Sequence, residues 1–335
     1  MDIIWYVILG AFLATYLVLG GYDYGVGLWL ARRAAPADRR LALTAVGPFF
    51  LGNEVWLVAA VGVLFGAFPM LEGELLSGLY PVVVLALVGV IVVTVAVQLR
   101  SRPASDRARA RWDRLVVIGS ALAALGWGAV LAGLLQGVPL AADGRVHSVG
   151  HVFTPFVAAG ALTLLSLVAL HGATFLALRL PEAAATAAAR YGRRLVPAAL
   201  AAVATVTVVG LLTDRVRQTV QQPVTAIVVP VLLAAVLLVI GGALRRNRPG
   251  VAFAGSAVAL ALPVFAVAAI TWPYALISSV DPAASLTVAD AAASAPTLRL
   301  LSWVAVPLLP TLIGFQVMCW WVFRGRVDGR APVYW

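Results

Sequence analysis

Nine stretches of this chain run for about twenty residues or more with almost no charge, and this pattern limits what the chain can fold into. A helix rises about 1.5 Å per residue, so some twenty apolar residues cross the roughly 30 Å hydrocarbon core of a bilayer. The stretches lie at approximately 3–31, 43–68, 78–99, 115–136, 153–178, 195–213, 224–244, 251–277 and 298–323. None alternates apolar and polar residues as a membrane β-strand does. The expected fold class is an all-α polytopic membrane protein with nine transmembrane helices, residues 1–335 forming a single integral membrane domain. Composition agrees, since 62% hydrophobic and 11% charged residues are far from the makeup of a soluble domain.

Charge gives the topology. All 24 basic residues are arginines, and 20 of them fall in alternate connections (the first, third, fifth and seventh) and after the last stretch. The other connections carry 4. Under the positive-inside rule the N-terminus is expected outside and the C-terminus in the cytoplasm, which requires an odd number of crossings. The net charge of +10 then belongs to the cytoplasmic rims and the lipid headgroups, not to nucleic acid. The first stretch has no basic residue before it and no cleavage site after it, so it is expected to be a permanent helix. The lone Cys319 cannot form an intrachain disulfide. Connections are short, apart from an Ala/Ser-rich external segment at 281–296. Prolines at 81, 230, 263, 307 and 310 fall within the stretches, as membrane helices tolerate.

Only two carboxylates lie inside the stretches: Asp23 in Gly21-Tyr22-Asp23-Tyr24-Gly25, and Glu54 in Gly52-Asn53-Glu54-Val55-Trp56. An ionised side chain in hydrocarbon costs several kcal/mol, so such acids are functional candidates by default. The expected topology puts both in the cytoplasmic half, Glu54 about three turns into its helix. The two helices are consecutive and antiparallel, so the motifs are expected to face each other. Asn53 and Trp56 are candidate hydrogen-bonding neighbours. The acids could take up protons from the cytoplasm, or a protonated Glu54 could tie helices together while Asp23 anchors at the interface.

The histidines limit redox chemistry. A bis-histidine haem needs imidazoles on facing helices, and only His171 is at membrane depth. A His171–Met318 pair is the arithmetical alternative; a hydrogen-bonded packing role suits His171 better. His147 and His151, four apart at the external end of the fifth stretch, could share a metal, but no cysteine or acid cluster accompanies them. No phosphate-binding loop, nucleophile elbow or membrane His-Glu motif is present, so the chain alone is not expected to be a self-contained enzyme. Trp272-Pro273-Tyr274 and Trp320-Trp321 fit an aromatic belt, with a quinone headgroup site as the sharper alternative.

The stretch from Leu43, Leu-Thr-Ala-Val-Gly-Pro-Phe-Phe-Leu-Gly-Asn-Glu-Val-Trp-Leu, followed by Gly66-Ala67-Phe68-Pro69, resembles subunit II of the cytochrome bd-type quinol oxidases. So does Gly21-Tyr22-Asp23-Tyr24-Gly25-Val26-Gly27. The resemblance continues in order through Ser77-Gly78-Leu79-Tyr80, Gln136-Gly137-Val138-Pro139, Leu170-His171-Gly172-Ala173, Ser285-Leu286-Thr287, Trp303, Gln316 and Trp321-Val322-Phe323-Arg324. It implies two four-helix bundles plus a peripheral helix, in a prokaryotic plasma membrane, paired with a homologous subunit I. In that complex subunit I holds haems b and d, oxidises membrane quinol and reduces dioxygen to water. Subunit II binds no haem, supports its partner, and contributes to proton delivery or holds a structural quinone; small accessory subunits can join the pair.

The sequence departs from the family pattern at several acids. Gly20, Leu51 and Gln98 stand where family members commonly carry one, Phe50 replaces a tryptophan, and Val93-Thr94 replaces an Arg-Pro, while Arg100 is retained. A proton path through the replaced acids would be interrupted. Asp23 and Glu54 then suffice, or water and Gln98 complete another route, or protons travel through subunit I alone. His171 and Gln316 are weaker members of the same polar set. Two other readings are a proton-coupled secondary transporter with Asp23 and Glu54 as its coupling site, and a structural partner in an oxidase-like complex that has lost oxygen chemistry. The transporter would be favoured by broken helices in paired halves, and no internal repeat is visible.

Overall fold

The computed structural model describes residues 1–32, 35–102, 105–143, 145–146 and 148–327. Arg33, His147 and Arg330 lie outside the described residues. Thirteen helices follow in chain order: α1 (Asp2–Leu30), α2 (Pro36–Val46), α3 (Phe50–Ala67), α4 (Pro69–Gly78), α5 (Tyr80–Leu99), α6 (Asp106–Gln136), α7 (Pro155–Arg179), α8 (Glu182–Leu212), α9 (Asp214–Thr219), α10 (Pro223–Arg245), α11 (Pro249–Thr271), α12 (Val288–Ala291) and α13 (Ala295–Val322). Nine of them, α1, α3, α5, α6, α7, α8, α10, α11 and α13, are long and apolar enough among the described residues to cross a membrane.

The sequence boundaries shift where backbone chemistry intervenes. The second stretch is not one helix. It breaks at Gly47-Pro48-Phe49, because proline has no N–H to donate to the preceding turn and its ring crowds the carbonyl there. Glu54 consequently sits near the start of α3, rather than three turns into a continuous helix. Pro81 lies in the first turn of α5, where its missing N–H costs nothing, whereas Pro230, Pro263, Pro307 and Pro310 lie within continuous helices. Both α6 and α8 are 31 residues long and begin well before their apolar stretches, in Arg-bearing turns. The segment at 281–296 is ordered into a cap: strand β1 (Tyr274–Leu276) pairs antiparallel with β2 (Leu286–Thr287), and α12 follows.

Each of α1, α7 and α11 packs against the other two, and α6 packs against all three. Helix α5 runs along α6, and α8 and α10 extend the set beyond α7 and α11. Helix α13 lies against α3 and is exposed along most of its length. In lipid, apolar surface gives helices little reason to associate, so close contact depends on small residues. Among the tightest crossings is α1 on α7. A Cβ on Gly25 would lie 2.2 Å from the Val168 carbonyl oxygen, and one on Gly172 would lie 2.2 Å from the carbonyl carbon of Gly25.

Around this crossing is an aromatic core. Tyr22 stacks on Phe175 at 4.4 Å, Phe49 on Trp320 at 4.8 Å, and His171 on Phe253 at 4.9 Å. The Phe49–Trp320 contact ties the end of α13 to the turn that opens α3.

Gly25→Ala and Gly172→Ala are each expected to destabilise the purified protein by about 1–3 kcal/mol, the usual cost of overpacking. Gly242→Ala, which meets nothing within 4 Å, serves as the neutral comparison. A Gly25→Ala protein that melts like the parent would mean that α1 and α7 do not cross there.

Candidate functional site: a polar seam around α3

Asp23 points from α1 into the interior and is 5% exposed. Its Oδ2 accepts a hydrogen bond from Asn53 Nδ2 on α3 at 2.8 Å. The same amide nitrogen lies 2.7 Å from the Tyr22 hydroxyl and 3.1 Å from the Leu19 carbonyl, so the two N–H bonds of one fully buried asparagine are shared among three acceptors on α1. On its other side, Asn53 Oδ1 accepts from Gln316 Nε2 of α13 at 3.5 Å, and Gln316 Oε1 accepts from Trp56 Nε1 at 3.3 Å. Asp23, Asn53, Gln316 and Trp56 thus form one chain across α1, α3 and α13. Asp23 Oδ1 is buried with no hydrogen-bond partner among the described residues.

The two motifs meet, but the two carboxylates do not. Glu54 follows Asn53 on α3 and therefore points about 100° away around a helix of 3.6 residues per turn. It accepts a hydrogen bond from the Thr94 hydroxyl of α5 and is half-buried. Leu51, Val55 and Val58 beside it on α3 are exposed. The Thr94 hydroxyl gives Glu54 its donor.

The remaining sequence candidates lie elsewhere. Gln98 is exposed on α5 and joins neither chain. Arg100 is buried just beyond α5 and pairs with Asp113 of α6; Asp113 Oδ2 also accepts from Arg39 Nη1 at 3.1 Å. This triad locks the Arg-rich ends of α2, α5 and α6 together. Gly20 lies beneath the joined hydroxyls of Tyr16 and Tyr24, where a Cβ would come within 3.2 Å of the Tyr16 ring. The tyrosine pair fills the space beside Gly20.

His171 is fully buried and both ring nitrogens are engaged, Nδ1 with Ser256 Oγ at 2.7 Å and Nε2 with the Val18 carbonyl at 3.0 Å. Met318 faces outward from α13. His171 and Met318 therefore do not fit as the axial pair of a haem. His151 is buried in the turn Gly150–Val152, with Nδ1 3.1 Å from the Ser148 carbonyl. Burial, with Arg215 nearby, pushes its pKa below that of a free imidazole, although the Ser148 bond works the other way. Among the described residues no three His, Cys, Asp or Glu side chains converge on a metal site.

Sequence reasoning missed Tyr22, Thr94, Asp113 and Arg179. Tyr22 was legible only as part of its motif, and Asp113 was hidden because α6 begins nine residues before its apolar stretch. Arg179, at the end of α7, is 5% exposed and donates to the Gly325 carbonyl. Nothing in its Leu-Arg-Leu context marks it as buried.

The helices and their membrane-depth polar chains define a multi-pass plasma-membrane protein. The sequence profile of the cytochrome bd terminal oxidase subunit II family matches residues 1–323, and the chain belongs to that family. It is thereby a subunit of an oxidoreductase complex. The chain is 29% identical over 339 residues to cytochrome bd ubiquinol oxidase subunit 2 of Bacillus subtilis, covering 98% of each chain. It is likewise 29% identical over 359 residues to cytochrome bd-I ubiquinol oxidase subunit 2 of Escherichia coli K12, covering 97% of this chain and 94% of that one. Its fold is similar to a chain of the bd oxidase from Geobacillus thermodenitrificans, with a TM-score of 0.68 over 96% of this chain and 98% of that one, at 17% identity.

Asn53→Leu removes the only described hydrogen bond to the Asp23 carboxyl, and is expected to lower stability by about 1–3 kcal/mol. The double variant Asp23→Leu/Asn53→Leu should cost less than the two single variants added together. Additive losses in thermal denaturation would show that the two side chains do not pair.

Proposed function

We propose that this chain is the haem-free second subunit of a bd-type quinol oxidase, which oxidises membrane quinol, reduces dioxygen to water and takes the protons from the cytoplasm. The haems b and d and the reaction belong to subunit I. This chain acts as one membrane domain, with α1, α3, α5 and α6 as one four-helix group, α7, α8, α10 and α11 as a second, and α13 at the periphery. The N-terminus lies outside and the Arg-rich ends lie in the cytoplasm, in line with the 20 to 4 arginine split.

The observation that carries this reading is the placement of two carboxylates on different sides of α3. Asp23 lies on the inner side, within the chain's own interior, and Glu54 faces outward at membrane depth among exposed apolar side chains. A carboxylate facing lipid is costly, so the face formed by α3, α5 and α13 is the one that subunit I covers. Glu54 then stands at the subunit boundary, where a proton gathered in this chain can pass to the partner. Accessory subunits, where present, would occupy other lipid-facing helices.

A structural quinone has a fitting place in the second group. An apolar cavity of about 210 Å³ lies between α6, α7, α8, α10 and α11, walled by side chains such as Leu131, Leu164, Val203, Leu233, Val267 and Ile270. Such walls suit the isoprenoid tail. The redox chemistry of a bound quinone would come from its headgroup; this chain's residues would hold the tail and keep water out.

Purification of the tagged chain from its native membrane tests the reading. A haem-bearing partner should co-purify, with reduced-minus-oxidised haem bands that stay with the partner when the subunits are separated. Haem retained by this chain, or a chain that purifies alone and without haem, would overturn it.

A further inference from the structure

The segment 323–327 after α13 packs against the end of α7 and borders a polar surface pocket. Gly325 turns with φ 104°, a left-handed value that suits glycine. Its carbonyl accepts from Arg179 Nη1, and the Val327 N–H donates to the Arg179 carbonyl at 2.7 Å. Val327 is buried while Arg326 between these contacts is exposed. Beside this strap lies a surface pocket of about 40 Å³ whose polar lining residues, Arg326, Arg248, Asn247, Glu182 and Thr186, are all exposed. It is the size of a few water molecules, at about 10–15 Å³ each, or one compact oxyanion group.

Among the described residues its charged lining is two arginines and one glutamate, and neither Arg248 nor Arg326 forms an ion pair there. Asn247 adopts φ 53°, so the turn between α10 and α11 is bent back where Arg248 meets the cavity. Arg248 also precedes the first turn of α11, whose unpaired N–H groups favour negative charge. Guanidinium groups from two separate elements, at an Arg-rich helix end, match the planar, bidentate recognition of a phosphate group.

We propose that this cavity is a phosphate-binding site, and that its occupant ties the C-terminal strap to the α10–α11 turn. The phosphate is that of an anionic phospholipid headgroup or of free inorganic phosphate. The lipid would come from the cytoplasmic leaflet, which rests on the orientation proposed above. Because the strap is fixed to Arg179, and Arg179 lies over the Phe49 ring at 5.5 Å, occupancy also steadies the aromatic contacts that hold α13.

Hydrogen exchange at the Val327 amide tests the site in the intact complex, in nanodiscs that expose both faces. Three conditions are compared: phosphatidylcholine alone, phosphatidylcholine with phosphatidylglycerol, and phosphatidylcholine with added inorganic phosphate. Exchange should slow about tenfold with phosphatidylglycerol, with phosphate, or with both, and the slowing should be absent in Arg248→Gln/Arg326→Gln. Slowing by the lipid alone assigns the site to a headgroup; slowing by phosphate as well assigns it to the free anion. No slowing in the parent, or equal slowing in the double variant, overturns the proposal. Binding is read without reference to sidedness, so a failed orientation and a failed site give different results.

Discussion

Everything at the centre of this molecule depends on how closely α1 approaches α7. Two glycines, Gly25 and Gly172, let the backbones come within a distance that no Cβ could share. In hydrocarbon that approach replaces the hydrophobic drive available to a soluble core. It places Tyr22 against Phe175 and His171 against the Val18 carbonyl, and leaves Asp23 facing α3. The polar chain through Asn53 pairs most of these groups away from water, where an unpaired group costs several kcal/mol, and leaves Asp23 Oδ1 without a partner among the described residues.

Helix α3 then divides two environments. Asn53 faces inward and collects acceptors from α1, while the next residue, Glu54, faces outward to Thr94 and to whatever covers that surface. Adjacent positions on a helix are about 100° apart, so a single Asn-Glu pair can serve an interior network and an interface together. Thr94 supplies a donor to Glu54, and the joined hydroxyls of Tyr16 and Tyr24 fill the space beside Gly20.

Much of this was legible in the sequence, for identifiable reasons. Apolar stretches of about twenty residues mark helices that must bury their own backbone groups, so all nine were visible. Asp23, Asn53, Trp56 and Gln316 stood out because polar groups are rare at that depth. Side-chain direction was less legible: Asp23 and Glu54 lie in motifs that do meet, yet Glu54 turns away, because one residue of helical phase decides its side. The break at Gly47-Pro48-Phe49 and the early start of α6 were hidden in apolar or Arg-rich context. Buried Arg179 gave no signal, since its partner is a backbone carbonyl some 146 residues away.

The proposed proton route requires Asp23 and Glu54 to act together across α3. Oxygen consumption by the intact complex carrying Asp23→Asn, Glu54→Gln or both tests it most directly. Steps in one route give non-additive losses, with the double variant about as slow as the slower single variant at unchanged assembly. Losses that multiply, or turnover that neither substitution changes, would contradict the account.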